Sequence, residues 1–583
     1  MKSSKIIARS SVELITQFIN EIKQRSYDEV DKDFAKYFLL LLIRDAHDGL
    51  DLINKSEELS VCKIQNFIEK AVQKYICPLD ATACSLKICY FFKRCKLLDF
   101  EYVKEQYESN RKELLNRLIG SVLQYPETCN AKQLQEMFMK MQIFIITNYS
   151  IGSPKDHVLL KKTEESLNSI IGKRDLKNYI LKKKYNRLEY LQRLGAIVCG
   201  ILIFNDHAFQ GDPECVRDIF TDLAMAKKNA KEAIEASIDR AIKLIAKGNE
   251  CFADLIVLDV HEQKVKSLWP IAKLRDTNKF VMLFESYRRY LIHLQRIFNK
   301  TQYLIEVNEK KFDCVVNKIN EILKFRSAVE SELIFPHFVY LSELWTTLEL
   351  HLAHIAEIIK IKDHLDELVS ENLERNYIEN LEATIRDSKN IKYPIEPTFS
   401  ELMELTNKCE GQLNLMKLKN SLKDFCSLTI ALTNGLLMPA CLQKKLCENS
   451  DMLFGFANIE NAKYAERYFA EFLKTLRNAV FTSTDLIVLS GMDDEVLEQY
   501  VKLTHKAEPK TKTFETQTEF VIENDLSVPN QINVTWNVWD FHRETIRLAN
   551  IRQRQTHSTQ SNLSYGKRNA QNQAYHTRQH KGF

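Results

Sequence analysis

The chain has 583 residues, 45% of them apolar and 27% charged, with a formal net charge of +4, so it falls in the globular range and is long enough for more than one core. Glycine is scarce, at 14 residues or about 2.4% against a usual share of about 7%. That scarcity excludes the glycine-rich phosphate loops of dinucleotide and triphosphate binders: Gly172-Lys173 is followed by Arg174, and no Gly-x-Ser-x-Gly elbow occurs.

Residues 1–11 are basic and serine-bearing, as in a mitochondrial presequence, but Glu13 and Glu21 follow closely and no apolar signal core opens the chain. The 14 cysteines therefore point to a reducing compartment. Cys62, Cys77, Cys84, Cys89 and Cys95 crowd together without a Cys-x-x-Cys pair, so they read as buried helix thiols and not as zinc ligands.

To about residue 410 the apolar residues recur at helical spacing. Turn-forming breaks fall at 125–128, 150–154, 205–213 and 393–397, which predicts an N-terminal helical domain over 1–150 and a central long-helix bundle over 151–410. The apolar run 194–204 is too short for a membrane span of about twenty residues and reads as core. Asp206-His207 falls in the break that follows and reads as a loop.

Two stripes carry the central bundle. Phe280, Phe284, Tyr287, Leu291, Leu294 and Phe298 step by fours and threes, as do Leu341, Trp345, Leu348, Leu352, Ile355 and Ile359, so each set lies along one helix face that must be buried. His351 and His354 share the second helix, and His364 follows. They lack the His-Glu-x-x-His spacing and bring no carboxylate or cysteine at ligand distance, so they read as histidines on a helix flank.

Between 421 and 478 the texture predicts a small α+β module: a strand over 425–430, a turn at Asn434-Gly435, a short strand over 452–456, and a helix holding Tyr464, Tyr468, Phe469 and Phe472. A helix over 479–504 follows. A flexible linker over 505–535, a C-terminal docking helix over 536–556 and a basic disordered tail over 557–583 complete the chain. The expected fold class is mainly α: multi-helix bundles with a small α+β module near residue 450 and a disordered C-terminal tail.

Two C-terminal segments carry binding chemistry. From 513 to 520 the side chains alternate as in a strand, and the core Thr516, Gln517 and Thr518 resembles the anchor triplet of peptides captured by the dimeric dynein light chain, which adds such peptides to a sheet edge. A weaker echo is Ser558-Thr559-Gln560-Ser561. Further on, the docking helix begins with Trp536-Asn537-Val538-Trp539, which sets Trp536 and Trp539 beside Arg543, Arg547, Arg552 and Arg554, and from 545 to the end there is no acidic residue against seven basic ones. Indoles beside an acid-free arginine face suit docking to an acidic, filament-like surface, or anchorage of the helix on the body of the protein. Nucleic acid would meet the same charge requirement, but the aromatics do not recur at base-stacking spacing. No catalytic, cofactor or metal set is legible, and neither a small-molecule substrate nor a membrane is expected as a partner.

These residues carry a resemblance. The stretch Trp536-Asn537-Val538-Trp539 through Ile546-Arg547-Leu548-Ala549-Asn550-Ile551-Arg552-Gln553 to Thr556-His557-Ser558 resembles the cilia- and flagella-associated protein 206 family. So do Ile151-Gly152-Ser153-Pro154, Gly200-Ile201-Leu202-Ile203-Phe204-Asn205, Phe335-Pro336 through Leu341-Ser342-Glu343-Leu344-Trp345-Thr346, and Asn434-Gly435-Leu436-Leu437-Met438-Pro439, in the same order. The resemblance implies a structural axonemal adapter, without enzymatic activity, that fixes radial spoke 2 base proteins and an inner-arm dynein to the doublet microtubule. It implies location in the cytoplasm and cytoskeleton at the ciliary or flagellar axoneme, and a requirement for sperm or ciliary motility.

The sequence departs from the family over 440–450, which is compressed and cysteine-bearing, and Cys426, Cys441 and Cys447 form no clear ligand set. Composition alone fits a rival class, a cytoplasmic helical tethering or trafficking subunit. An RNA-binding protein acting through its arginine- and glutamine-rich tail is a third.

Overall fold

The structure, a computed structural model, describes residues 3–43, 61–126, 128–208, 216–324, 329–389, 395–406, 422–446 and 453–498. The chain divides into two units, Met1–Pro509 and Lys510–Phe583, and the second lies outside the described residues. Among its described residues the first unit is mainly α-helical with two small antiparallel sheets.

The N-terminal helices are α1 (Ser3–Ser26), α2 (Lys32–Leu42), α3 (Val61–Ile76) and α4 (Ala81–Arg94). From Tyr37 to Leu42 every residue of α2 is buried, the pattern of a core helix and not of a surface one. Phe18, Phe34, Phe38, Tyr75 and Tyr90 gather around it, with Phe34 and Tyr90 edge to face at 5.0 Å between ring centroids. Asp80 starts α4 by accepting from the Ala83 amide at 2.8 Å.

Next come α5 (Phe100–Leu123), α6 (Ala131–Tyr149), α7 (His157–Ile170), α8 (Lys173–Leu181) and α9 (Lys184–Ala208). The Gln133 side chain reaches back to the Asn130 amide at 2.9 Å to open α6, and Ser150, left-handed at φ 50°, closes it before the Ile151-Gly152-Ser153-Pro154 turn. Helix α9 is long and apolar enough to cross a membrane by length and composition, yet over half of that stretch is buried in the protein, including Leu194, Val198, Cys199, Leu202 and Ile203. It meets α12 where a β-carbon on Gly200 would lie 2.1 Å from the Phe338 carbonyl oxygen. Asp206-His207, expected in a loop, sits on the last turn of α9, because the helix runs on to Ala208.

Three long helices follow: α10 (Ile219–Leu255, 37 residues), α11 (Ile271–Leu323, 53 residues) and α12 (Ser331–Leu368, 38 residues). At its length α11 spans about 80 Å. The expected stripes lie where the spacing puts them. On α11, Phe284, Tyr287, Leu291, Leu294 and Phe298 are buried and Phe280 is half-buried against Tyr377; on α12, Leu341, Trp345, Leu348 and Ile355 are buried. Helices α10, α11 and α12 pack on one another, and α13 (Glu371–Ser388) closes on them.

A hairpin that the periodicity hides lies between α10 and α11. Strands β1 (Ile256–Asp259) and β2 (Lys264–Ser267) pair in the register Ile256↔Ser267 to Asp259↔Lys264, and β2 takes bridges from Ile395 and Thr398 on its other side. Four-residue strands with a charged turn are too short to stand out between two long helices.

In the small module, α14 (Phe399–Thr406) is followed by α15 (Ser427–Thr433), so the strand expected over 425–430 is helical from Ser427 onward. All seven residues of α15 are buried, so the run carries no amphipathic period, and its threonine and isoleucine content misleads toward a strand. The expected turn is present: Asn434 and Gly435 have φ of 55° and 119°, and the Gly435 amide donates to the Ile430 carbonyl at 2.9 Å. Strands β3 (Leu442–Lys445) and β4 (Leu453–Phe456) pair antiparallel, so the short strand expected near 452–456 is found. The helix expected around Tyr464 to Phe472 is two helices, α16 (Ile459–Arg467) and α17 (Phe469–Thr482), broken at Tyr468. Helix α18 (Thr484–Ser490) is followed by helical residues 493–498, which end the described fold, so the helix expected over 479–504 is interrupted at Ser483 and Gly491. Apolar residues from Phe18 to Val496 form one hydrophobic cluster, so residues on both sides of the breaks at 150 and 479 share a core.

Candidate functional site

Among the described residues, buried and half-buried polar side chains tie elements to one another at nodes that include four carboxylate–cation clusters. The first closes the chain on itself. Asp493, fully buried, accepts from the Tyr37 hydroxyl at 2.9 Å, Lys93 Nζ at 2.5 Å and the Cys89 thiol at 3.5 Å. Beside it, Thr82 donates to Asp485 at 2.9 Å and Thr484 to the Leu41 carbonyl at 3.0 Å. Burial, then Asp493, pushes the Cys89 thiol up to about 12, and burial pushes Cys84 up to about 11, so both remain protonated near neutrality. The sequence reading of buried thiols holds for Cys84 and Cys89; Cys77 is exposed and Cys95 half-buried.

The second node joins α10, α11, α12 and α13. Arg240 lies 3.5 Å from Asp366 and 3.2 Å from Glu374, and donates to the Tyr287 hydroxyl at 3.2 Å, while that hydroxyl donates to Asp366. Ser237 and Lys362 also reach Asp366, at 3.1 Å and 3.0 Å. Burial raises the Glu374 carboxyl, and Arg240 opposes the rise. In the third, Glu285, 2% exposed, takes two bonds from Arg288, at 2.7 Å and 2.8 Å, and one from Arg289 at 2.8 Å, and Arg289 donates onward to the Leu489 carbonyl at 3.0 Å. In the fourth, Arg217 spans Asp222 at 2.6 Å and the buried Glu349 at 2.7 Å. Sequence spacing carries no signal for such pairs, since Tyr37 and Asp493 are 456 residues apart.

His351 and His354 are core residues, each 2% exposed, and not the helix-flank histidines that spacing suggested. Both pack on Phe100, with centroids at 4.8 Å and 5.5 Å; Nε2 of His351 is 3.2 Å from Asn308 and Nδ1 of His354 is 3.1 Å from Thr301. Burial lowers His351 from its ordinary 6.5 to about 4, so it is neutral at physiological pH. Helix α5 covers this face, which a single helical wheel of α12 does not reveal. Among the described residues no three His, Cys, Asp or Glu side chains are grouped to hold a metal ion. Cys426 is buried beside the Asn461 amide at 3.7 Å and Cys441 is exposed, while Cys447 lies outside the described residues. Asp206 lines a cleft of about 420 Å³ between α7 and α9 with Lys162, Glu165, Ser169 and Asn205.

The docking residues Trp536, Trp539, Arg543, Arg547, Arg552 and Arg554, and the peptide Thr516, Gln517 and Thr518, all lie outside the described residues.

The family model described as "FAP206: Domain of unknown function" matches residues 222–498, from the first turn of α10 to the end of the described fold. Along nearly its whole length the chain is similar to proteins named cilia- and flagella-associated protein 206. The Bos taurus protein is 21% identical and the Rattus norvegicus protein 23%, each over 96% of this chain and 91% of the relative. The Tetrahymena thermophila protein is 21% identical over 71% of this chain and 65% of its own length. The family model and the curated relatives, each named cilia- and flagella-associated protein 206, together cover most of the chain. Its role and location are accordingly ciliary or flagellar. The family match holds the second and third nodes complete, together with Asp485 and Asp493 of the first. No solved structure matches the chain.

Proposed function

We propose that the chain is a structural adapter of the motile axoneme, without a catalytic step, that anchors radial spoke 2 and an associated inner-arm dynein to the doublet microtubule and is required for flagellar, including sperm, motility. The observation that carries the reading is the near full-length likeness to cilia- and flagella-associated relatives, in a body whose long helices are cross-tied by buried polar nodes. An anchor must transmit force between fixed points without yielding. Helices of 37, 53 and 38 residues packed side by side and pinned by Arg240, with Asp493 tying α2 and α4 to the far end of the body, supply that stiffness.

In this reading Trp536, Trp539, Arg543, Arg547, Arg552 and Arg554 form the contact with the acidic doublet surface, and Thr516-Gln517-Thr518 takes a dynein light chain by strand addition. Electron tomography of flagella from cells lacking the chain tests the anchoring step. Loss or displacement of spoke 2 at its base, with neighbouring spokes in place, is the expected result; a full set of spokes at normal positions would refute it.

A further inference from the structure

The turn between α6 and α7 carries the one Ser-Pro or Thr-Pro pair in the chain, Ser153-Pro154. Ser153, Pro154 and Lys155 are all exposed, while the residues on both sides are held in place. The Trp345 indole N–H donates to the Tyr149 carbonyl at 2.9 Å, the Ile151 amide to the Ile146 carbonyl at 3.3 Å, and the Arg217 amide to the carbonyl of the buried Ile151 at 2.7 Å. On the far side Asp156 accepts from the Val158 amide at 2.9 Å and opens α7. Three residues thus stand out from the body between two fixed posts.

The hydroxyl at the head of this turn is available. Ser153 Oγ accepts from the Lys155 amide at 3.3 Å, and its own hydrogen has no protein acceptor among the described residues. One backbone bond shapes the loop, from the Asp156 amide to the Ser153 carbonyl at 3.0 Å, so little opposes its local opening. The residue before a proline is biased to extended backbone, the form in which a protein kinase takes its substrate.

We propose that Ser153 is a phosphorylation site for a proline-directed serine/threonine protein kinase. Its Oγ attacks the γ-phosphorus of ATP, the bond from that phosphorus to the β–γ bridging oxygen breaks with its electron pair leaving on ADP, and the hydroxyl proton passes to the catalytic carboxylate of the kinase. Pro154 selects the kinase class. A proline has no N–H, so it suits a following-residue pocket that lacks an acceptor, where any other residue strands its amide. The surroundings also favour the product. A phosphate takes over the Lys155 amide with charge behind the bond, and Lys155 and His157, both exposed and without an acidic partner among the described residues, follow within four positions. Asp156, the acidic residue between them, has its carboxylate on the Val158 amide. The inference stands apart from the anchoring reading.

The test incubates the folded full chain with MgATP and a purified kinase of the mitogen-activated, proline-directed class, and maps phosphate on its peptides by mass spectrometry. Phosphoserine at 153 is the main product, Ser153→Ala removes most of the incorporated phosphate, and Ser153→Thr retains it. Pro154→Ala lowers the initial rate at this position by about tenfold, the cost of one stranded amide, and thermal unfolding checks that the variant is folded. The chain isolated from the cells that express it, with phosphatase inhibitors present, carries the same phosphoserine. Phosphorylation of a free 148–160 peptide but not of the folded chain would overturn the proposal. So would a rate unchanged by Pro154→Ala, or an unmodified Ser153 in the chain from its own cells.

Discussion

Asp493→Ala is expected to lower the stability of the body by about 3 kcal/mol or more, because it removes the acceptor from a buried, charge-paired node. The Tyr37 hydroxyl and the Cys89 thiol lose their bonds, and Lys93 keeps only Asp494, whose side chain is 65% exposed. Since Lys93 is itself 29% exposed, water recovers part of its charge, which holds the loss below that of a fully enclosed pair. Asp494→Ala, at the solvent edge of the same cluster, costs less than about 1 kcal/mol. Lys93→Met combined with Asp493→Leu recovers part of the loss, since it removes both charges together. Urea unfolding reads these values, and hydrogen exchange reads where the loss falls: α2 and α4 lose protection along with α18. Equal costs for Asp493→Ala and Asp494→Ala would show that this node does not hold the two ends of the body together.

Gly200→Ala is the second large effect, and its sign depends on what the new methyl meets. Its β-carbon would lie 2.1 Å from the Phe338 carbonyl oxygen and 2.7 Å from the Phe338 Cα, both backbone atoms that no rotamer change can move. Helices α9 and α12 must separate, at a cost of about 3 kcal/mol. Gly120→Ala, in the interior of α5, is the matched control: the nearest atom is the end of the Gln124 side chain at 4.0 Å. There the better helix former stabilises by up to about 1 kcal/mol. Thermal unfolding of the two variants gives shifts of opposite sign; shifts of the same sign would contradict the close approach of α9 and α12.

The contrast between these two glycines marks what the sequence makes legible. Helix faces are local, so the stripes from Phe280 to Phe298 and from Leu341 to Ile359 follow from spacing alone, and so do the Ser150 and Asn434-Gly435 turns. The Asp493 node, the Gly200 crossing and the covering of His351 by Phe100 join distant elements, and no local pattern encodes them. The run of α15 reads as a strand because a segment buried on every side has no helical period, and the hairpin at 256–267 leaves no mark because four-residue strands barely interrupt two long helices. The Ser153-Pro154 pair is plain in the sequence. Its exposure and the pinned residues on either side become visible only in three dimensions. The C-terminal tryptophans, arginines and Thr516-Gln517-Thr518 rest on sequence and resemblance, because they lie outside the described residues.

The most direct test of the central claim is to express a tagged copy in a cell with motile flagella, strip the membrane with detergent, and follow the tag. An anchoring adapter stays on the isolated axoneme after the membrane and soluble fractions are removed. Complete release into those fractions would contradict the account.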